Sequence, residues 1–436
     1  MKKFFFLLVI LLTGLLGSAQ QLLTLEEAIA TALKNNYDIQ LSRNDSMVAA
    51  LDYSFRNSVF LPRLNASTTL TWNDNDQKQE FSTGVIRKGE VKTNNFNNSL
   101  SLNWTLFDGF KMFATREKAE EFIRLGELGI KNQVITTVAT VINTYYNIVR
   151  QKQQLRANEE LLSISQTRVT LAERRLDIGV GTKPDVLQSK VDMNAQKAAQ
   201  LEQQTLITQL KEQLNQVMNV TGIPSYDVAD SIPVDKALVL GDIQNAMANG
   251  NPALLIARKN IDIAAITLKE RRAERLPVVS FNSAYNFNRS DNTLALNPAL
   301  PLFTSNRGFN YGIGITLPII NNHTTKRLIA QAKLDIQYQE LLYNSQKSQL
   351  DLAVMNAFQE YEQQKKALIL EEENILLARE NVNIALEVYR LGASTIIQLR
   401  EAQISLEDAY NRLIAARYNT KLAETELLRL KGDLVK

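Results

Sequence analysis

The chain has 436 residues, no cysteine, one histidine and a formal net charge of +3 from 49 basic and 46 acidic side chains. Without cysteine there is no disulfide framework, no thiolate metal site and no lipidated N-terminal thiol. The charges are interspersed and no basic cluster is interleaved with aromatics, so no nucleic acid is indicated as a partner.

In chain order, residues 1–19 (MKKFFFLLVILLTGLLGSA) combine a basic start, an apolar run and a small-residue end. These are the three parts of a secretory signal, so export and cleavage are expected. No later segment has the apolar length of a membrane helix, so any insertion of the mature chain must use strands.

A helix is expected from Leu25 to Asn57, then a strand at about 62–73. That strand sets Leu64, Ala66, Thr68, Leu70 and Trp72 on one face and Asn65, Ser67, Thr69, Thr71 and Asn73 on the other, the period-2 signature of a two-faced ribbon. A second strand at about 96–107 alternates Leu100, Leu102, Trp104 and Leu106 with Ser99, Ser101, Asn103 and Thr105. Residues 110–178 contain no proline and read as one helix of roughly 100 Å at 1.5 Å per residue. After a turn at 179–183 a second helix runs from Pro184 to Asn219, followed by a break at 220–240 that holds Gly222, Pro224 and Pro233.

The same order then recurs. A helix from Asp242 to Arg275 leads to strands at about 277–288 and 309–318. Val279, Phe281, Tyr285 and Phe287, then Phe309, Tyr311, Ile313, Ile315 and Leu317, make the apolar faces. A proline-free helix runs from Thr324 to Leu391, a turn follows at 392–395, and a last helix reaches Leu430. That helix carries Leu399, Ala402, Leu406, Ala409, Leu413, Ala416, Thr420, Ala423, Leu427 and Leu430 at steps of three and four, a coiled-coil seam. The expected organisation is therefore an internal two-fold repeat, residues 20–236 and 237–436.

The polar strand faces are Asn, Ser, Thr and Gly, and the apolar faces carry aromatics, which favours a membrane barrel over a soluble sheet. Segments Asn73–Asn95 and Arg289–Gly308 are expected as external loops. Four strands are too few to close a barrel, and an open edge in lipid leaves backbone groups unpaired, so several copies must contribute. Two copies supply eight strands and three supply twelve; the polar inner face favours the wider wall.

The two turns match most closely. LDIGVGTKPDVLQS and YRLGASTIIQLREAQ place Gly179 and Gly392 as left-handed ends of incoming helices and Thr182 and Thr395 as N-caps of outgoing ones. Asp185 and Gln398 take the third helical position, where they complete a capping box. Gly181, Lys183 and Ser394 complete the turns, which are expected to form a rim.

With these paired turns, the strand pairs and the duplicated order, the sequence resembles the TolC-type outer-membrane efflux proteins over essentially the whole mature chain. The resemblance implies a mainly α chain with a membrane β-barrel, four strands per chain in a trimeric twelve-stranded barrel continued by a long α-helical coiled-coil barrel. It implies a passive trans-periplasmic exit duct for efflux or secretion, with a periplasmic adaptor protein docked at the turns, an inner-membrane pump and outer-membrane lipid as partners. It also implies a periplasmic gate, carried over to Tyr389, Asp185, Gln398 and Glu401. Gln398 and Ser394 depart from the acidic and basic residues of the family, which leaves one carboxylate ring at Glu401 and a weakened cation preference.

No cofactor and no enzymatic activity is expected. The single histidine, His323, follows the fourth strand in IINNHTTKR as a loop or helix-start residue, and no glycine set forms a phosphate loop. The competing expectation is an exported coiled-coil adhesive or structural oligomer whose strands form a soluble sheet.

Overall fold

The computed structural model describes residues 21–234, 237–294 and 301–434, so the signal segment lies outside the described residues. The elements run β1 (Gln21–Leu23), α1 (Leu25–Asn35), α2 (Tyr37–Ser54), a 3₁₀ turn (Arg56–Phe60), β2 (Arg63–Glu80), β3 (Ile86–Asp108), α3 (Lys111–Asp177) and α4 (Lys183–Met218). They continue with β4 (Tyr226–Val228), α5 (Leu240–Gly250), α6 (Pro252–Ala273), β5 (Val278–Leu294), β6 (Phe303–Thr316), α7 (Thr324–Arg390) and α8 (Ile396–Lys431). No described helix is both long and apolar enough to cross a membrane. The chain divides into a strand-bearing unit, Met47–Leu125 with Arg258–Leu342, and a helical unit formed by the remainder.

In the strand-bearing unit β2, β3, β5 and β6 form one antiparallel sheet in that order, leaving β2 and β6 as edges. Directly opposed residues share a face. Leu100 faces Ala66 on one side and Tyr285 on the other, and Tyr285 faces Phe309. The register thus gathers Leu64, Leu70, Trp72, Leu100, Phe281, Tyr285, Phe309 and Ile313 onto one face, and Asn65, Ser101, Ala284 and Asn310 onto the other. The apolar face is open: Trp72 is 70% and Tyr311 74% exposed.

The strands depart from the expected bounds. Asn73–Asn95 is no loop, because β2 and β3 continue as a paired ribbon to Glu80 and Ile86, closed by Gly84 at φ 78° and by Phe81 N donating to Val85 O at 2.9 Å. Lys92 bridges Asp74 at 3.1 Å and Glu90 at 2.6 Å within that ribbon. Apart from Ile86 and Val91 its strand side chains are polar on both faces, so alternation does not reveal it. Arg289–Gly308 is likewise strand up to Leu294 and again from Phe303, with 295–300 outside the described residues. At its other end β6 stops at Thr316, before Leu317 and Pro318.

In the helical unit the expected single helices Leu25–Asn57 and Asp242–Arg275 are each divided by a buried asparagine. Asn36 Oδ1 accepts from Asp38 N and Ile39 N and so caps α2, while its Nδ2 donates to Val217 O at 2.8 Å. Asn251 does the same between α5 and α6, accepting from Leu254 N and donating to Leu430 O at 2.9 Å. Each amide thereby ties a helix start to the end of a 36-residue helix. Short β1 and β4, too brief to leave a periodicity in the sequence, pair in parallel. Tyr145 joins them, its hydroxyl donating to Leu23 O at 2.9 Å and accepting from Ala229 N at 3.1 Å. All ten residues of the α8 stripe are buried.

Candidate functional site

The α3–α4 and α7–α8 connections are built alike. Gly179 and Gly392 both stand at φ 79°, where a Cβ is strained. Behind them Val180 N donates to Arg175 O and Ala393 N to Val388 O, closing the last helical turn. A Cβ on Gly181 would lie 2.8 Å from Leu176 N, so that position has no room for a side chain. Thr395 and Gln398 form a complete capping box. Thr182 accepts from Asp185 N, but no reciprocal bond from Asp185 closes a box there. Lys183 and Thr182 are exposed, whereas the Ser394 hydroxyl is buried without a partner.

Beside the turns Tyr389 is buried at the end of α7. The Arg175 guanidinium stands 4.8 Å from its ring centre and donates to its carbonyl at 3.0 Å. Burial pushes the Tyr389 hydroxyl above the usual tyrosine value; the charge of Asp185 acts in the same direction, and those of Arg175 and Arg168 oppose it. Tyr389 and Asp185 are thus within electrostatic reach of one another, as members of one charged neighbourhood.

The centre of that neighbourhood is Arg168, 2% exposed. It donates to Gln403 Oε1 of α8 at 2.6 Å and to Asp192 Oδ2 of α4 at 2.7 Å, linking three helices. Asp192 also accepts from Gln188 at 2.9 Å and pairs with Arg400 at 3.3 Å. Burial pulls Arg168 below the ordinary arginine value and Asp192 opposes that pull. A cavity of about 180 Å³ opens beside them, lined by Leu161, Arg168, Asp192, Gln196, Gln403 and Glu407 among others. A buried charge is tolerable only when paired in this way.

Gln398 and Glu401 are exposed and outside this network. Arg168, Asp192, Gln403 and Arg175 were not singled out from the sequence, although a signal existed: Leu161, Ser165, Arg168, Ala172 and Arg175 recur at steps of four and three, so two arginines sit on a stripe that should face a neighbour.

Known proteins share this build. The solved outer-membrane channel OprN superposes with a TM-score of 0.79 at 16% identity, covering 94% of this chain and 90% of that one. The outer membrane protein VceC of Vibrio cholerae gives 0.75 at 15% identity, covering 94% and 96%. A two-faced antiparallel sheet borne on long paired helices therefore defines this fold as that of the outer-membrane channels. By sequence, the outer membrane efflux protein BepC of Brucella suis is 21% identical over 98% of this chain and 89% of its own length. The model of the outer membrane efflux protein family matches residues 28–220 and again 243–433. The chain belongs to this family, and it is an outer-membrane exit duct for efflux or secretion.

Proposed function

We propose that three copies of the chain close a twelve-stranded barrel in the outer membrane, four strands from each, and line a coiled-coil conduit with their long helices. The observation that carries this reading is the sheet itself: one face apolar and exposed, the other Asn, Ser, Thr and Gly, with β2 and β6 each paired on one side only. Lipid accepts the apolar face, water the polar one, and neither edge is tolerable in hydrocarbon unless another copy pairs with it.

The chain is then an internal duplication, 20–236 and 237–436. The two matches to the family model support this, as do the equal lengths of α3 and α7, 67 residues each, and of α4 and α8, 36 residues each. The duct conducts and catalyses nothing. A periplasmic adaptor docks at Gly179, Gly181, Thr182, Lys183, Gly392, Ser394 and Thr395, and an inner-membrane pump supplies the cargo. Ile178 and Leu391, 73% and 80% exposed beside those turns, are apolar contacts for such a partner. Tyr389, held by Arg175, and Asp185 hold the gate, with Gln398 and Glu401 on its face.

Native mass spectrometry of the full chain extracted from outer membranes in detergent, followed by conductance in a planar bilayer, tests the reading. A trimer with a water-filled conductance is expected. A stable water-soluble monomer would overturn it. At the gate, Glu401→Gln should abolish the residual cation preference, and unchanged selectivity would remove Glu401 from the ring.

A further inference from the structure

The sheet passes into its helices at two junctions that correspond residue by residue. The cross-strand pair Arg63–Asn103 at the foot of β2 and β3 recurs as Val278–Thr316 at the foot of β5 and β6, at spacings of 215 and 213. The spacings also hold in the backbone beyond the strands. Leu61 N donates to Ser58 O as Leu276 N does to Ala273 O, and Phe110 O accepts from Ala114 N as His323 O does from Arg327 N. Phe110 and His323 are both left-handed, at φ 71° and 61°. Positions 60 and 113 of the first junction therefore answer to 275 and 326 of the second.

At the first junction those positions are aromatic. Phe60 and Phe113 stand ring to ring at 5.2 Å, Phe113 lies 6.1 Å from Phe110, and Phe110 lies 5.1 Å from Phe107. Phe107 is opposite Val279 and Val279 opposite Ile315, so the chain of rings begins on the apolar face of the sheet and runs down onto the start of α3. Trp104, on the same face, donates to Phe60 O at 2.8 Å. Such a belt marks the depth at which lipid head groups lie.

At the second junction the same places hold cations. Arg275 stands where the first junction has Phe60 and Lys326 where it has Phe113, while Ile320 answers to Phe107. Segments 269–276 and 317–327 carry six basic and two acidic side chains, and both acids are engaged, Glu270 with Lys118 and Glu274 with Lys111 and Arg271. Among the described residues no carboxylate pairs with Arg275 or Lys326, and both are exposed. Ile319 and Ile320 stand 87% and 89% exposed in the same connection. Lys326 also lies in the first turn of α7, whose free N–H groups favour an anion. Unpaired cations with bare isoleucines, at the depth of an aromatic belt, suit a phosphate that carries alkyl chains.

We propose that Arg275 and Lys326 hold the phosphate of an anionic phospholipid in the periplasmic leaflet, with Ile319 and Ile320 against its glycerol and first methylenes. The site rests on the barrel proposed above, which puts the foot of the sheet on the periplasmic side. Arg275 supplies a bidentate fork and Lys326 a point charge, and neither meets a carboxylate that would compete with the lipid. A zwitterionic head group brings its own ammonium to the phosphate, so an anionic one is preferred. Each cation near an anionic lipid surface strengthens association about fivefold.

Native mass spectrometry of the full-length trimer, released from nanodiscs of equal phosphatidylglycerol and phosphatidylcholine, reads the lipid that is retained. The unaltered protein should keep phosphatidylglycerol at least about tenfold over phosphatidylcholine, and Arg275→Gln with Lys326→Gln should bring that ratio to about one. Arg275→Lys with Lys326→Arg preserves both charges and should preserve the preference, which separates lost charge from lost fold. Arg289→Gln, at the outer end of the sheet, should leave the ratio unchanged. An undiminished ratio in the neutral double variant, or an equal loss in Arg289→Gln, would overturn the lipid site while a trimeric mass leaves the barrel standing. A monomeric mass for the unaltered chain would overturn the barrel, and the site with it.

Discussion

The helical and strand-bearing units reverse the usual placement of polar and apolar side chains in opposite ways. The helical unit buries Arg168, Glu424, Asn251 and Gln403, whereas the sheet leaves Phe309, Tyr311, Ile313 and Ile315 open. The helical unit pairs the charges it hides, since Arg168 is bonded to Asp192 and Gln403 and Glu424 is paired with Lys421 at 3.2 Å, although Arg168 Nε, Gln403 Nε2 and Glu424 Oε2 are buried without a hydrogen-bond partner. Among the described residues no segment covers the apolar face of the sheet, which suits lipid as its surrounding medium. The first unit therefore pairs its hidden charges from its own side chains, whereas the second presents its apolar face to the surrounding medium.

That contrast can be broken at several points. The largest effect belongs to Arg168→Ala, which removes the donor of buried Gln403 and leaves Asp192 only Gln188 and Arg400, and should cost about 3 kcal/mol, read as a fall in the urea midpoint. In an Asp192→Ala background the same change should cost much less, and an additive double mutant would show that the pair is not coupled.

On the sheet, Ile313→Arg should cost about 2–4 kcal/mol of membrane folding, measured as loss of the heat-modifiable form. Asn310→Arg, on the opposite face of the same strand, should cost far less. Equal losses would mean that the two faces do not meet different solvents.

At the turns, Gly179→Ala and Gly392→Ala force a side chain into φ 79° and should each cost about 1–2 kcal/mol. Thr395→Ala should cost about 1 kcal/mol, more than Thr182→Ala, because only Thr395 sits in a reciprocal capping box.

The smallest effect is one of pH, at the β1–β4 clasp. Burial alone would raise Asp227, but its bonds to Lys152 and to its own neighbour Val228 outweigh it and hold the carboxyl below the usual range. Lys152, then Arg156, hold Asp230 low as well. Groups lowered by folding stabilise above their unfolded value near 3.9 and lose that contribution as the pH falls through the folded one. Hydrogen-exchange protection of β1 and β4 should therefore fall below about pH 4, and Lys152→Met should shrink that step, leaving what Val228, Lys211 and Arg156 contribute.

Much of the fold was legible in the sequence because periodicity survives without tertiary context. Alternation at Leu64–Trp72 and Phe309–Ile315, and the steps of three and four in α8, follow from which face must meet a different medium. Glycines at 179 and 392 and threonines at 182 and 395 likewise report local backbone demands. The polar ribbon Asn73–Asn95 was illegible, since cross-strand pairs such as Asp74 with Lys92 leave no period-2 trace. Asn36 and Asn251 were illegible as breaks because their amides act on carbonyls of Val217 and Leu430, far along the chain.

The sequence by itself determined the long helices, the two-faced segments of the four long strands and the conformation of the turns, because those depend on neighbours a few residues away. Tertiary structure alone decided that Arg168, Asp192 and Gln403 would converge, that β1 would pair with β4, and which strand residues stand opposite one another. These contacts join positions tens to hundreds of residues apart, and no local propensity carries the register that brings them together.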